Sequence, residues 1–531
     1  MEKPAINQTH KIQQPDAKNI IPDAMTEKQP TFFTKIQSNF DKHEENDVID
    51  FYTERNIPRL LSKEGPKAAV GDVNADGLDD VFIGGTPGHP GQLYIQTPEG
   101  KPAYRTGRFV KKEQKEFARF SDFEDVAVLL FDCDHDGDLD LLICPGGNNA
   151  TPGSRELQLR LFKNDGKGNF SLDASAFPNV GTNVSVAIAN DFNGDGYPDL
   201  FIGSRSYPEL YGVTPESFLF VNDGSGHFRD IAKTQNPSIA DIGMVCGAVW
   251  ADIAGDRQKE LIIVGEWMTP RIFSFNGNHF EEVKTNLGNM FGWWQTVSSA
   301  DVNGDGKMDL ILGNIGENFY LQPYEKRPVK LWINDYDQNN SVEKIMTYTA
   351  DGKDMPVFLK KDMEDQLPSI KKANLKNEAY ARKSIQELFP EGLLSKSVVK
   401  KFNYCSSCIA INNGNGNFTV QKLPPVMQLS CINVIHCMDV NGDGHVDLVA
   451  GGNQFGFLPQ FERLDASLGD VLVNTGKGEF VWQEATKTGL DLRGEERDIA
   501  EIKTNNEDCL LFLQNNEVPA LYKLNKISTK N

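Results

Sequence analysis

The sequence predicts an all-β fold, a seven-bladed β-propeller with a small helical insertion in blade five. Two observations lead to this prediction. A nine-residue acidic motif returns along the chain, and short apolar runs rich in Val, Ile, Leu and Phe flank each copy, as expected for short buried strands. An Asn- and Gly-rich signature follows most copies and is typical of tight hairpins. Four-stranded antiparallel units repeated in tandem indicate a propeller.

The acidic motif accounts for six of the seven blades. Its five intact copies begin at Asp72, Asp132, Asp191, Asp301 and Asp439. A sixth copy, from Asp252 to Glu260, is degenerate because Ala254 and Arg257 replace a ligand and the turn glycine. Successive copies begin 49 to 61 positions apart, except for the last pair, which begin 138 apart. The long gap predicts the insertion in blade five.

The hairpin signature and the C-terminal strands complete the predicted ring. The signature occurs at residues 164–170, 222–228, 276–280, 412–418 and 474–480. Three apolar runs, at residues 497–502, 509–513 and 520–524, supply three strands of a seventh blade. We expect residues 31–36 to be its outer fourth strand, since ring closure removes an exposed strand edge.

These assignments predict a simple domain organisation. Residues 1–30 are polar, contain four prolines and are interpreted as a disordered leader. Residues 31–526 form the propeller. Residues 335–404 form the insertion, with an extra acidic loop and two or three short amphipathic helices between residues 355 and 401 that pack on the outside or on one face of the propeller.

Composition excludes several classes of partner. The 531 residues include 54 basic and 75 acidic side chains, a net charge of −21. That balance argues against non-specific nucleic-acid binding and against docking on anionic membranes. The sequence contains no apolar run of 18 residues, so we expect no direct membrane insertion. Eight cysteines are too few for a dense disulfide framework in a chain of this length.

The spacing of the acidic motif has a chemical explanation. Side chains at positions one, three and five converge on one centre, position seven offers its carbonyl, and position nine gives a carboxylate. Hard oxygen ligands without nitrogen or sulfur favour Ca²⁺ over a transition metal. The predicted ligands are Asp72, Asn74, Asp76, Leu78 and Asp80; Asp132, Asp134, Asp136, Asp138 and Asp140; Asp191, Asn193, Asp195, Tyr197 and Asp199; Asp301, Asn303, Asp305, Lys307 and Asp309; and Asp439, Asn441, Asp443, His445 and Asp447.

A further candidate loop lies outside the repeat, in the predicted insertion. Its ligands would be Asp335, Asp337, Asn339, Ser341 and Glu343, with Asn340 in place of the usual glycine. Asn tolerates the left-handed backbone that this turn needs. The sequence therefore predicts five or six calcium ions in all, with none at the degenerate copy.

The motif DVNGDG-x-x-D, followed by a hydrophobic strand and Gly, resembles the FG-GAP/VCBS repeat of integrin α-type propellers. The layout is similar to that of bacterial proteins related to cartilage acidic protein and the ASPIC/UnbV group. The resemblance covers about residues 60–525. It implies secretion, a calcium-stabilised propeller, and a role in adhesion or ligand binding. The degenerate fourth loop and the absence of an acidic loop in blade seven depart from the pattern and reduce the number of sites.

The expected location is outside the cell or on its surface, and on the outer-membrane surface if the source is bacterial. Loops of extracellular modules bind calcium at roughly 10⁻⁴–10⁻³ M, a range that cytosolic calcium does not reach. Residues 1–19 lack the apolar core of an export signal. Met1 need not be the natural start.

We expect the end of the propeller opposite the calcium loops to carry the function. Its loops are long and hold aromatic and Arg side chains, the usual interface anchors. The predicted ligand face consists of Tyr207, Tyr211, Trp267, Phe319, Tyr320, Phe455, Phe457 and Arg463. The partner would be a protein or a glycan on a cell surface, or the chain would be a subunit of a cell-surface complex. The alternative is a lectin or a carbohydrate-active enzyme, a glycosidase or lyase, although no histidine lies in a known catalytic motif.

Overall fold

A computed structural model describes residues 30–99, 101, 108–504 and 507–526. The chain is all-β, and its strands pair into four-stranded antiparallel sheets. We number the repeated sheets 1 to 7 in chain order. Among the described residues, no helix is long and apolar enough to cross a membrane.

The first four sheets follow one another without interruption. Sheet 1 contains β2 (Ala68–Gly71), β3 (Asp80–Ile83), β4 (Gln92–Gln96) and β5 (Phe109–Lys112), and sheet 2 contains β6 (Asp125–Phe131), β7 (Asp140–Pro145), β8 (Arg160–Asn164) and β9 (Phe170–Asp173). Sheet 3 contains β10 (Asn183–Asn190), β11 (Asp199–Ser206), β12 (Phe218–Asn222) and β13 (Phe228–Asp230). Sheet 4 contains β14 (Met244–Ala251), β15 (Glu260–Met268), β16 (Arg271–Phe275) and β17 (Phe280–Glu282), and the short β18 (Gly292–Trp293) pairs with β15.

The last three repeated sheets follow in chain order, and the last of them also contains a strand from the N-terminal part of the chain. Sheet 5 contains β19 (Thr296–Ala300), β20 (Asp309–Gly313), β25 (Cys408–Asn412) and β26 (Phe418–Lys422), and sheet 6 contains β27 (Ile432–Met438), β28 (Asp447–Gly452), β29 (Asp470–Asn474) and β30 (Phe480–Gln483). Sheet 7 contains β31 (Glu496–Thr504), β32 (Glu507–Gln514), β33 (Ala520–Leu524) and, as its outer strand, β1 (Phe33–Lys35).

The hydrophobic cores lie between consecutive sheets. Each repeated sheet shares a cluster of buried side chains with the next one along the chain. Sheet 7 shares a cluster with sheet 1, in which Leu511 and Leu521 pack with Val81 and Tyr94. The first strands follow the same order, because each contacts the first strand of the next sheet and β31 contacts β2. Sheet 7 therefore packs against both sheet 6 and sheet 1.

The insertion is larger than the sequence predicted and contains a sheet of its own. The chain leaves sheet 5 after Gly313 and returns to it at Cys408. Between these points, β21 (Val329–Asn334), β22 (Glu343–Ala350), β23 (Lys353–Pro356) and β24 (Val398–Phe402) form a separate sheet in the order β23-β22-β21-β24. The predicted insertion, residues 335–404, has the expected acidic loop and helices, but its sheet and its earlier start were not predicted. Alternating burial along Val329, Leu331 and Ile333 makes the segment before residue 335 a strand.

Among the described residues, the α-helices are short and most of them belong to the insertion. The insertion holds Lys360–Gln366, Ser369–Ala373, Asn377–Ala381, Ile385–Leu388 and Glu391–Leu394. Elsewhere, single turns span Ala232–Gln235, Pro237–Ala240 and Ala485–Thr488, and 3-10 turns span Asp50–Tyr52, Phe117–Phe120, Arg155–Leu157, Pro425–Gln428 and Pro459–Phe461.

Candidate functional site

Each acidic loop joins the first strand of its sheet to the second. The aspartate at position one organises the loop by accepting backbone hydrogen bonds. In the loop of sheet 5, Asp301 Oδ1 accepts from Gly304 N at 2.8 Å, and its Oδ2 accepts from Gly306 N at 2.8 Å. The degenerate loop has the same turn, since Asp252 accepts from Gly255 N at 2.6 Å and from Arg257 N at 2.8 Å. The turn therefore forms without a complete ligand set, and only the side chains distinguish a calcium loop from a plain turn.

The aspartate at position nine is buried and ties the loop to its own sheet. Asp309 Oδ2 accepts from Val302 N at 3.0 Å, and its Oδ1 accepts from Asn412 N at 2.7 Å in the third strand. Burial, with added repulsion from the other loop carboxylates, raises the pKa of Asp80 and Asp199 to about 7 and that of Asp447 to about 6. A cation in the loop would favour the ionised form of these carboxyl groups.

Bridging asparagines connect consecutive acidic loops, and the sequence analysis assigned them only to hairpin turns. They are Asn164, Asn222, Asn412 and Asn474, at the ends of the third strands. Asn222 Nδ2 donates to Cys133 O of the preceding loop at 2.7 Å and to Pro198 O of its own loop at 3.1 Å. The other three make the same pair of contacts. Their invariant place before the Gly-x-Gly turn was the signal that could have identified this role.

The loop of sheet 2 brings three of its predicted carboxylate ligands together. Carboxylate oxygens of Asp132, Asp134 and Asp136 all lie within 4.8 Å of one another. Asp132 Oδ1 and Asp134 Oδ1 are buried, and neither accepts a hydrogen bond within the described part of the chain. Two unpartnered carboxylate oxygens that face one centre fit a bound cation.

A lysine that the sequence analysis missed reaches into the same loop. Lys163 Nζ lies 2.6 Å from Asp134 Oδ2 and 3.5 Å from Asp140 Oδ2. It precedes the bridging Asn164, at the position that Val221, Ile411 and Val473 occupy in other sheets. The ammonium group neutralises part of the loop charge and would compete with a metal ion for two of the carboxylates.

Replacing this lysine is expected to strengthen calcium binding at sheet 2. Lys163→Met removes one positive charge next to the ion and should tighten this site about tenfold, or about 1.4 kcal/mol. Native mass spectrometry at limiting calcium would show one more ion retained. Lys111→Met, which removes an exposed lysine paired with Asp41 at 3.0 Å on sheet 1, is the control. Identical titrations of all three proteins would contradict this role of Lys163.

The extra acidic loop is the hairpin between β21 and β22 of the insertion. Carboxylate oxygens of Asp335, Asp337 and Glu343 lie within 4.8 Å of one another. Asn340 has a φ of 68°, the left-handed backbone that the turn requires. Glu343 Oε2 also accepts from Tyr336 N at 2.7 Å, as the position-nine aspartates do in the repeated loops. The arrangement fits a cation with hard oxygen ligands.

The predicted ligand face is largely buried, and the expectation is wrong for its central members. Tyr211, Trp267, Phe319 and Phe457 are less than one-tenth exposed and belong to one hydrophobic cluster with the insertion. Of the remaining members, Tyr320 is half-buried and packs against that cluster, Tyr207 and Phe455 are half-buried, and Arg463 is exposed. The four buried aromatic residues, Tyr211, Trp267, Phe319 and Phe457, therefore cannot contact a ligand at the surface.

Two chain segments cover this end of the sheets. One is residues 50–64, which we call the plug segment, and the other is the insertion, with which the plug segment shares a hydrophobic cluster. In the plug segment, Arg59 is 2% exposed. Its guanidinium donates to Gln454 Oε1 at 2.6 Å and to Gln295 Oε1 at 2.9 Å, and lies 2.8 Å from Glu266. A buried ion pair between Lys344 and Glu54 joins the insertion to the plug segment. These contacts explain why the aromatic residues are buried.

Comparisons with known proteins identify the repeats. A family model described as FG-GAP-like repeat matches residues 72–143, 132–202, 191–263 and 252–312. The chain is similar to the crystal structure of the V. cholerae biofilm matrix protein Bap1, with 12% identity, 93% of this chain and 92% of that chain covered, and a TM-score of 0.37. It is also similar to the structure of YCF48 bound to D1 peptide, with 8% identity, coverages of 94% and 98%, and a TM-score of 0.39. None of the curated proteins matches the chain.

Proposed function

The chain is an FG-GAP repeat protein over residues 72–312, and from this premise we propose that it is a calcium-stabilised, seven-bladed β-propeller that acts outside the cell as a binding or adhesion module. Each repeated sheet is then one blade. The acidic loops hold the metal, and the rest of the surface is free to contact a partner. A closer relationship to cartilage acidic protein and the ASPIC/UnbV group stays a prediction.

A closed propeller is supported by contacts at its centre and by contacts between sheets 7 and 1. A cavity of about 50 Å³ is lined by a residue from the start of each blade, Lys67, Val126, Ser185, Cys246, Gln295, Asn433 and Arg497, together with Glu64 and Arg205. The shared core between sheets 7 and 1 and the pairing of β1 with β33 support closure at the point where the two ends of the ring meet. Closure protects strand edges that would otherwise be exposed.

Calcium is supported by the chemistry of the loops. The five intact repeat loops supply hard oxygen ligands at positions one, three, five and nine. The insertion loop also supplies oxygen ligands at these positions. When bound, calcium would neutralise the carboxylates that burial and mutual repulsion disfavour. In the degenerate loop, Ala254 supplies no ligand and Arg257 replaces the turn glycine. We therefore assign no ion to this loop.

The observation that carries the functional proposal is the division of the molecule into two ends. The acidic loops and bridging asparagines occupy one end as structural elements, and the long loops between second and third strands lie at the other. The partner would be a protein or a glycan on a cell surface. Since the plug segment and the insertion bury the centre of the second end, we place the binding surface on its rim.

Binding to intact cells tests this function. Fluorescently labelled protein is expected to bind saturably to cells of the organism that makes it, in millimolar calcium, and to be displaced by excess unlabelled protein. External protease on intact cells should degrade the native protein. Protease resistance of the native protein in intact cells, or the absence of saturable binding, would contradict an extracellular binding role.

A further inference from the structure

A second cavity lies on the rim of sheet 2, away from every acidic loop. Its volume is about 520 Å³, within the usual range for ligand pockets. The floor is apolar and includes Leu159, Leu172 and Phe177, and the wall consists of Phe120 and Phe123 beneath arginine side chains. We call it the Arg155 groove. Arg155 lies in the loop between β7 and β8, at the end opposite the acidic loops.

The three arginines of the groove differ in how their charges are balanced. Arg160 is 4% exposed and pairs with the buried Asp125 at 2.5 Å. Arg119 pairs with Glu116 at 2.6 Å.

Within the described residues, the exposed Arg155 donates only to a backbone carbonyl, Arg119 O, at 3.0 Å, and forms no ion pair within 4.0 Å. The adjacent Glu156 interacts with it at longer range, since a hydrogen bond from Ser154 and the charge of Arg155 both lower the pKa of Glu156. Arg155 is therefore the cation of the groove that is available to a ligand.

Aromatic rings hold the Arg155 guanidinium in place. Its carbon lies 5.3 Å from the centre of the Phe123 ring and 5.7 Å from the centre of the Phe120 ring. Cation–π contacts of this kind fix a flexible side chain at low cost, and they leave the edge of the guanidinium free to donate two parallel hydrogen bonds. A carboxylate is the group that matches this fork.

Two other polar groups of the groove, Gln158 and Asp173, are already engaged. Gln158 Oε1 accepts from Val180 N at 3.0 Å, and Gln158 Nε2 donates to Ser154 O at 3.2 Å. The Asp173 carboxylate accepts from Ser175 N at 2.9 Å and lies 3.6 Å from His227 Nε2. A glycan needs several free groups to pair with its hydroxyls, whereas the free polar groups here are the Arg155 guanidinium and the exposed Asn179 amide, beside an apolar floor. These properties favour a ligand with an apolar side chain beside a carboxylate.

We propose that the Arg155 groove binds a short acidic peptide segment of a partner protein. A Leu- or Phe-type side chain occupies the apolar floor, and an adjacent Asp or Glu carboxylate pairs with Arg155. This inference rests on the proposed binding function and gives it a site. The chain's net charge of −21 does not prevent the contact, because charges more than about 8 Å apart are largely screened at physiological salt.

An array of defined peptides tests the proposal. The probes are fluorescein-labelled eight-residue peptides whose cores combine Leu, Phe, Tyr or Trp with Asp or Glu, together with counterparts in which Asn or Gln replaces each acid. Fluorescence anisotropy should detect acidic peptides that bind at micromolar to submillimolar concentration. The amide counterparts should bind at least tenfold more weakly. Binding that the amides reproduce, or the absence of any bound acidic peptide, would overturn the proposal.

Variants assign the binding to the groove. Arg155→Gln should weaken the best acidic peptide at least tenfold, and Arg155→Lys should weaken it less, because lysine keeps the charge but not the fork. Arg493→Gln, which removes an exposed arginine paired with Asp491 at 2.8 Å, should bind as the unaltered protein does. Melting curves check that each variant is folded. Unchanged peptide affinity in Arg155→Gln would refute the assignment.

Two further readouts separate this proposal from the function on which it rests. Hyaluronan and alginate oligosaccharides are tested beside the peptides, and binding of these acidic glycans through Arg155 without peptide binding would assign the groove to a glycan and reject the peptide. Cell binding is measured for Arg155→Gln in parallel. Saturable cell binding with no peptide binding rejects only the groove proposal, whereas the absence of cell binding by the unaltered protein rejects the proposed function.

Discussion

Removing calcium with a chelator is expected to lower the melting temperature of this protein by about 13 °C. An ion present at 100 times its Kd stabilises the native state by about 2.7 kcal/mol, so five filled loops contribute about 13 kcal/mol. Unfolding about 500 residues changes the entropy by about 1 kcal/mol per kelvin, which converts this loss to a shift of that size. Differential scanning calorimetry in calcium and in chelator measures it.

The metal and the loops both provide controls for this experiment. Restored calcium should return the melting temperature, while magnesium should do so poorly because it requires a smaller, rigid octahedron of ligands. Asp301→Asn with Asp305→Asn should reduce the effect of the chelator. The matched pair Asp252→Asn with Asp256→Asn, in the degenerate loop, should leave that effect unchanged. A melting temperature that is the same with and without calcium would remove the structural role of the metal.

Deleting residues 1–36 is expected to lower the melting temperature by about 5 °C, whereas deleting residues 1–29 should leave it unchanged. The longer deletion removes Phe33, which is 1% exposed and packs with Leu490 and Leu510. Loss of that side chain costs about 3–5 kcal/mol. Each lost backbone hydrogen bond to β33 or to its neighbours, such as Ile36 N to Leu521 O at 2.9 Å, adds about 1 kcal/mol.

The longer deletion also leaves β33 as an unprotected edge strand. Exposed edges pair with other chains, so size-exclusion chromatography should detect dimers or aggregates of that variant. Phe33→Ala in the full chain should reproduce most of the loss of stability without exposing the edge. Equal melting temperatures for the two deletions would show that β1 does not close the ring.

Local and periodic features were predictable from the sequence. The identification of FG-GAP repeats is confirmed, and so are the antiparallel four-stranded sheets. Both follow from short-range chemistry, because Asp301 to Gly313 and Asn412 to Phe418 encode their turns and strands within a few residues. Lys163 was also within reach of sequence reasoning, since it replaces an apolar residue at one fixed position of the repeat.

Long-range packing was not predictable. The burial of Tyr211 and Trp267 depends on where the plug segment and the insertion lie, and the pair that joins them, Lys344 and Glu54, is separated by 290 residues. No periodicity in the sequence encodes such a contact. The same limitation explains why exposed aromatic residues were expected at the centre of this end, and why the groove beside Arg155 was not expected.

The bridging asparagines divide the molecule into two mechanical groups. Asn164 and Asn222 connect sheets 1, 2 and 3, and Gln96 Nε2, which donates to Lys503 O at 3.1 Å, extends that group to sheet 7. Asn412 and Asn474 connect sheets 4, 5 and 6. Within the described residues, no side chain makes the corresponding bridge from sheet 4 to sheet 3 or from sheet 7 to sheet 6, and Phe275 occupies the bridging position of sheet 4. Under tension, load would be shared inside each group and would concentrate at these two seams.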